Sequence, residues 1–234
     1  MTNEQIGTLF GLMLQYTVPT LKIFFFTLLY SIPLGMVVAL LKMCRFRPVS
    51  WITNVYILIM RGTPLLLQLI VANYSVPYII KSDICPEFIR ALLSGIDIRS
   101  EDYTFGMMLF AFVLNYAAYF AEIFRGGIES IPKGQYEAAG ALGFGKMQTF
   151  FRIILPQVVK RVVPASSNEI ITLVKDTSLA SAIPYMEIMY IAKKQVPTYA
   201  SLLPLFMAGV IYFAFAMVLT LIFSFVEKKL DYYK

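Results

Sequence analysis

The sequence predicts an all-α integral membrane protein of about five transmembrane helices, with the N-terminus outside and the C-terminus inside. Three observations carry that expectation. The 234 residues are 59% hydrophobic and only 15% charged, whereas soluble domains hold roughly 45–50% apolar and about 25% charged residues. Several apolar stretches reach the roughly 20 residues that a helix needs to cross a bilayer. The lysines and arginines gather beside those stretches, which is where juxtamembrane charge belongs.

Residues 1–19 form the first expected element. Ile6, Leu9, Phe10, Met13 and Leu14 follow i, i+3, i+4 spacing, the pattern of an amphipathic helix lying in the membrane interface. A secretory signal is not expected, because the first charge is Glu4 and no small-residue cleavage site follows. The transmembrane domain then covers residues 20–226, and residues 227–234 form a tail.

Within that domain the first span is expected at residues 23–41, bounded by Lys22 and Lys42. The second, about 51–80, is interrupted by Arg61-Gly62-Thr63-Pro64, where proline breaks the helical ladder and a kink is expected. The third covers about 105–124, the fourth about 162–184 and the fifth 202–226. Tyr232 and Tyr233 fit an interfacial aromatic belt.

Loop charge sets the orientation. Lys42, Arg45 and Arg47 between spans one and two face no acid, so that loop is expected inside. Between spans two and three, Lys81, Arg90 and Arg99 are outnumbered by Asp83, Glu87, Asp97, Glu101 and Asp102, so that loop is expected outside. Residues 125–161 carry Arg125, Lys133, Lys146, Arg152, Lys160 and Arg161 against Glu129 and Glu137, and the tail ends on Lys228, Lys229 and Lys234. Both read as cytoplasmic. Lys193 and Lys194, in the last external loop, are the exception to the rule.

Composition also excludes functions. The chain has no histidine, which removes the commonest general base and metal ligand. Cys44 and Cys85 are the two cysteines and fall on opposite sides of the expected membrane, so neither a zinc site nor a disulfide between them is expected. The net charge of +6 sits beside apolar runs and does not read as a nucleic-acid surface. No catalytic residue, metal ligand or cofactor of this chain is expected.

The cytoplasmic loop, residues 126–157, is long for a connector and is not disordered in composition. Pro132 can open a helix, and residues 137–143 read as a short helix with Gly143 as its stop. Its small residues leave a low-relief surface able to seat in another protein's groove, or the segment is a plain connector. Gly140 to Lys146 has the glycine and lysine spacing of a phosphate-binding loop. Met147 stands where such a loop needs Ser or Thr, and no strand is expected before it. Phosphate binding here is therefore not expected.

At this point the residues resemble a known family. Glu137-Ala138-Ala139, then Gly140 and Gly143, then Ile153-Ile154-Leu155-Pro156, resemble the EAA loop of ABC importer permeases. Residues 121–128, Gly134-Gln135, the Arg61-Gly62-Thr63-Pro64 run and Lys175-Asp176-Thr177-Ser178-Leu179 are similar to its polar amino acid branch. The resemblance spans residues 19–226. It implies a five-span type I importer subunit in a bacterial inner membrane, paired with an identical or homologous permease subunit. It further implies two ATP-binding subunits, which bind the ATP and Mg, docked on a cytoplasmic coupling helix formed by Glu137, Ala138, Ala139, Gly140 and Gly143 between spans three and four. An external solute-binding protein would deliver an amino acid.

Polar residues inside the spans are candidates for the solute path, because charge at the bilayer centre is costly and turns toward cavities or partners. Asn115, Tyr119 and Glu122 fall on one face of span three, and Asn168, Thr172 and Lys175 repeat that spacing in span four, with Glu169 and Asp176 one position round. Glu122 or Asp176 can meet the ammonium of an amino acid and Lys175 its carboxylate, with Ser178 and Asn168 adding neutral bonds. Alternatively these ions pair among themselves, and Glu122 snorkels or pairs with Arg125. Arg61, Gly62, Thr63 and Pro64 are either a kink or a hinge forming a cytoplasmic-side gate. A stand-alone secondary transporter using Glu122 and Asp176 as ion sites is the competing class, and the absence of an inverted repeat counts against it.

Overall fold

The computed structural model describes residues 2–82, 85–93 and 95–230, and every regular element among them is helical. Asp83 of the acidic loop, and Tyr232, Tyr233 and Lys234 of the tail, lie outside the described residues.

Helix α1 (Asn3–Gln15) opens on Thr2, whose hydroxyl accepts the Gln5 N–H at 3.3 Å while the Gln5 side chain accepts the Thr2 N–H at 2.9 Å. That reciprocal cap satisfies two of the free donors at a helix start. The helix ends at Tyr16, not at residue 19, and α2 (Thr17–Lys42) follows at once. The apolar stripe of α1 is covered by protein in part, since Phe10 and Leu14 are exposed. Leu9 and Met13 are buried with Ile188 and Ala192 of α10 (Ile188–Tyr199) and with Ala208 and Ile211 of α11 (Leu203–Leu230).

Helix α6 (Glu101–Glu129) is the centre of the molecule, packing against α2, α3 (Arg47–Gly62), α4 (Leu65–Lys81) and α9 (Leu155–Asp176). Small residues let backbones approach closely where no water is available to drive association. At Gly35 of α2 an added Cβ would lie 2.7 Å from the Phe120 Cβ and 3.1 Å from the Ala117 carbonyl. At Gly127 of α6 it would collide with Val162 of α9. Replacing glycine by alanine in a helix interior ordinarily stabilises it by up to about 1 kcal/mol. Gly106→Ala, with open space around it, should follow that rule. Gly35→Ala should reverse the sign and lower the thermal midpoint of the detergent-purified protein.

The second span is interrupted where expected, at Arg61-Gly62-Thr63-Pro64, and the fourth differs from expectation in its bounds. Helices α3 and α4 are not one kinked rod, because they meet at 106°. Helix α9 ends at Asp176 and continues as a 3₁₀ turn, Thr177–Ala182. It bears Lys160, Arg161, Glu169, Lys175 and Asp176, too many ions to read as a lipid-facing span. Among the described residues, three helical stretches are long and apolar enough to cross a membrane: α1 with α2, α6, and α11. Counting the bent pair as one span makes four. Helix α11 turns Phe206, Phe213 and Phe225 outward, each about 70% exposed, as a lipid-facing helix does.

On the expected cytoplasmic side lie α7 (Lys133–Ala141) and the four-residue α8 (Lys146–Thr149), which runs through a π-helical turn, Phe150–Ile154, into α9. The expected external loop carries α5 (Glu87–Leu93). Glu187 caps α10, accepting the N–H groups of Met189 at 2.8 Å and Tyr190 at 2.7 Å and the Tyr212 hydroxyl of α11 at 2.6 Å. Cys44 and Cys85 are both free.

Candidate functional site

The break between α3 and α4 is built by its own residues. Pro64 has no N–H to donate and pushes Thr63 into extended backbone, at φ −116° and ψ 147°. A broken helix leaves carbonyls without donors, and each carbonyl kept from water needs a partner. Two side-chain amides do so here. The Met60 carbonyl accepts from Asn115 Nδ2 at 2.8 Å and from Gln68 Nε2 at 3.0 Å. Gln68 Nε2 also reaches the Thr63 hydroxyl at 2.7 Å, and Gln68 Oε1 accepts from Asn115 at 3.0 Å. Asn115 thus ties the break to α6.

A cavity of about 490 Å³ opens beside this clamp, bounded by the break, α6 and α9. The Arg61-Gly62-Thr63-Pro64 run forms one wall, Asn115 and Tyr119 of α6 a second, and Thr172 and Asp176 of α9 a third. Tyr116 and Glu169 complete it. The Arg61 guanidinium lies over the Tyr119 ring, 5.1 Å from its centroid, a cation–π contact that spares the arginine from needing water. Asp176 Oδ2 accepts the Tyr116 hydroxyl at 2.7 Å. The walls therefore present one guanidinium, two carboxylates and several neutral hydrogen-bonding groups, a set suited to holding a small polar ion. No cluster of acids and cysteines able to hold a metal gathers among the described residues.

Four expected path residues lie elsewhere. Glu122 is consumed by an ion-pair cluster, 2.5 Å from Lys42 Nζ, 2.7 Å from Arg125 Nη2 and 4.0 Å from Arg61 Nη1, and Arg125 also pairs with Glu129. Lys175 sits about 100° round the helix from Asp176 and lines an open groove with Tyr212 of α11. Ser178 donates to the Lys175 carbonyl at 2.6 Å, closing the end of α9. Asn168 is exposed and does not line the cavity. Lys175 thus makes no ammonium–carboxylate clamp with Asp176.

Tyr116, Glu169 and Gln68 enter where the stripes did not include them. Gln68 is signalled by one amide inside Leu65-Leu66-Leu67-Gln68-Leu69-Ile70, seven residues after Arg61. Glu169 falls at i−3 and i−7 from Thr172 and Asp176, the spacing of one helical face. Tyr116 had no signal beyond its neighbour Asn115.

On the other face of the chain, α7 is exposed at Glu137, Ala138 and Gly140, with Ala139 buried beneath. Its end is closed by two bonds: the Phe144 N–H reaches the Ala139 carbonyl and the Gly143 N–H the Gly140 carbonyl, each at 3.0 Å. This paired cap requires a residue of positive φ, and Gly143 has φ +80°. Leu142 beside it is 76% exposed.

Residues 31–232 match the family described as binding-protein-dependent transport system inner membrane component. The chain is 38% identical over 214 residues to the arginine transport system permease protein ArtQ of Bacillus subtilis (strain 168), covering 90% of this chain and 89% of the relative. It is 33% identical over 215 residues to the putative glutamine transport system permease protein GlnP of Rickettsia felis (strain ATCC VR-1525 / URRWXCal2), covering 92% and 90%. Its fold superposes on a solved amino acid ABC transporter structure with histidines at a TM-score of 0.76 and 28% identity, over 96% of this chain and 95% of that one.

Proposed function

The chain belongs to the family of binding-protein-dependent transport system inner membrane components, and from that premise we infer that it is a permease subunit of an ABC importer for amino acids. In the bilayer of a bacterial inner membrane, the five spans are α2, the bent α3–α4 pair, α6, α9 and α11. Loop charge supports an external N-terminus and a cytoplasmic α7. The ions on α9 fit this reading, because Glu169 and Asp176 face the cavity, α6 and α11 pack on other parts of the helix, and we assign its exposed face, with Asn168, to a second permease subunit, identical or homologous.

The observation that carries the proposal is the polar cavity at the α3–α4 break. It joins a bend, a guanidinium and two carboxylates. In the proposed mechanism an external solute-binding protein delivers the amino acid, and the cavity lined by Arg61, Asn115, Tyr119, Thr172 and Asp176 holds it in passage. Two ATP-binding subunits, carrying the ATP and Mg, dock at Glu137, Ala138, Ala139, Gly140 and Gly143. Their closure pushes α7 and, through the rod from α8 to α9, tilts one cavity wall against the other. The Arg61–Pro64 break is the hinge and Arg61 the cytoplasmic-side gate, an alternating-access device that needs two stable arrangements biased by ligands.

The test is reconstitution in vesicles. Labelled amino acid uptake should require ATP, the ATP-binding subunits and the solute-binding protein together. Uptake by this chain alone, driven by a proton or sodium gradient, would replace the proposal with a secondary transporter.

A further inference from the structure

Helices α9 and α11 pack side by side but leave a cleft between them that the transport mechanism does not use. One face of each helix lines it. Lys160, Pro164, Ile171 and Lys175 of α9 fall at i, i+4, i+11 and i+15, and Phe213, Met217, Ser224 and Lys228 of α11 repeat that spacing. The two ends of the cleft differ in chemistry. At the expected cytoplasmic end, Lys160, Ser224, Glu227 and Lys228 line a pocket of about 480 Å³, floored by Val163, Pro164 and Leu230. One turn along α11 a groove of about 570 Å³ begins, lined by Leu221, Met217, Ala216, Phe213 and Ile171, with Lys175 and Tyr212 toward its far end.

A charged pocket running into an apolar groove has the form of a headgroup followed by an acyl chain. The length agrees. Ser224 and Phe213 are eleven residues apart, about 16 Å along the axis, and one leaflet of the hydrocarbon core is about 15 Å, half of about 30 Å. A groove that spans the inner leaflet therefore places the pocket at headgroup depth. Leu221, Ile222 and Phe225 beside it are exposed, so a lipid reaches the cleft without crossing protein. Asn168, on the face assigned to a second permease subunit, lines neither the pocket nor the groove.

Charge narrows the ligand. Lys160 and Lys228 bring two positive charges to the pocket and Glu227 one negative, a net charge of one positive. Arg161, next along α9, donates instead to the Ser130 carbonyl. We propose that the cleft is a binding site for a phospholipid of one net negative charge, with its phosphate on Lys160 and Lys228 and one acyl chain in the groove. Basic pockets between membrane helices on the cytoplasmic side hold anionic headgroups in this way. Glu227 and Ser224 accept the hydroxyls of a glycerol headgroup, whereas a choline headgroup offers them no donor and leaves the pocket's charge uncancelled. The site concerns the membrane around the permease, not its solute, and so goes beyond the transport reading.

The experiment counts lipids by native mass spectrometry on the permease assembled with its ATP-binding subunits in a neutral detergent. Dioleoyl phosphatidylglycerol, dioleoyl phosphatidylcholine and chain-free glycerophosphate are titrated in turn. Phosphatidylglycerol should bind at one per permease chain, about tenfold more tightly than either of the others. Lys160→Gln and Lys228→Gln should each weaken it about fivefold, the factor a lysine contributes near an anionic headgroup. Lys160→Arg with Lys228→Arg should keep the preference, which separates lost charge from lost folding. Lys229→Gln, outside the pocket, should change it less than twofold, and Ala216→Phe should weaken it with both lysines in place by filling the groove. Equal binding of the two phospholipids overturns the inference, as does a preference that survives loss of both lysines. Glycerophosphate binding as tightly as phosphatidylglycerol would make this a site for free phosphate esters and not for lipid. Disulfide-linked permease pairs formed by Met217→Cys on a Cys44→Ser background would show a second permease subunit filling the groove, and would equally overturn it.

Discussion

Importers carrying Gly143→Val should hydrolyse ATP and move almost no amino acid. Gly143 holds φ +80°, and the two bonds that close α7 depend on it. A β-branched side chain in that region is a pronounced outlier, costing roughly 1–2 kcal/mol or more, comparable to the whole value of a helix cap. The end of α7 should therefore unwind, carrying the exposed Leu142 with it. An added side chain at Gly143 would meet nothing within 4 Å in this chain, so packing among the spans is untouched and insertion should be normal. ATP turnover of the assembled complex should stay near wild type, while uptake per ATP should fall by about tenfold or more, since rigid coupling tolerates little loss of geometry. Gly134→Ala is the control, because that glycine lies within α7 with open space around it. Normal coupled uptake by the Gly143→Val complex would remove α7 from the coupling path.

Local features were legible in the sequence and distant ones were not. A proline announces a break at Pro64 because its effect is on its own turn, and periodicity places Asn115 and Tyr119 on one face of α6. The 106° angle between α3 and α4 was not legible, since the clamp on the break includes Asn115 reaching Met60 across 55 residues. The Arg125 partner of Glu122, three residues on, was legible and is made, whereas its Lys42 partner was not, as Lys42 lies 80 residues away. Lys175 and Asp176 show the limit of spacing. They are adjacent in sequence and about 100° apart on the helix. Which of them meets the cavity depends on where α11 packs, and nothing in residues 162–184 states that. Hydropathy alone does not mark α9 as a span, because the ions of a helix that faces a cavity lower its score.

Glu122→Gln should lower the thermal midpoint of the purified complex by about 5 °C. Glu122 is 17% exposed and receives Lys42 from α2 at 2.5 Å and Arg125 from its own helix at 2.7 Å, with Arg61 of α3 at 4.0 Å. Removing its charge leaves Lys42, Arg61 and Arg125 together with Glu129, which pairs with Arg125, as the one acid bound among them. A fully buried partner lost in this way costs about 3–5 kcal/mol, and partial exposure reduces that to about 2 kcal/mol. For a chain of this size, each kcal/mol moves the midpoint by about 2–4 °C. The pair itself adds little, so Lys42→Met combined with Glu122→Leu should be less destabilised than Glu122→Leu alone. An unchanged midpoint for Glu122→Gln would show the cluster to be a solvated surface. The variant also reaches the transport path, because Glu122 is one of the acids near Arg61, 4.0 Å from its Nη1, and Arg61 lines the cavity with Glu169 and Asp176. Without it the guanidinium should turn toward those carboxylates and fill the place of a solute cation. Uptake should then fall with a raised KM for the amino acid, an effect that lost stability alone would not produce.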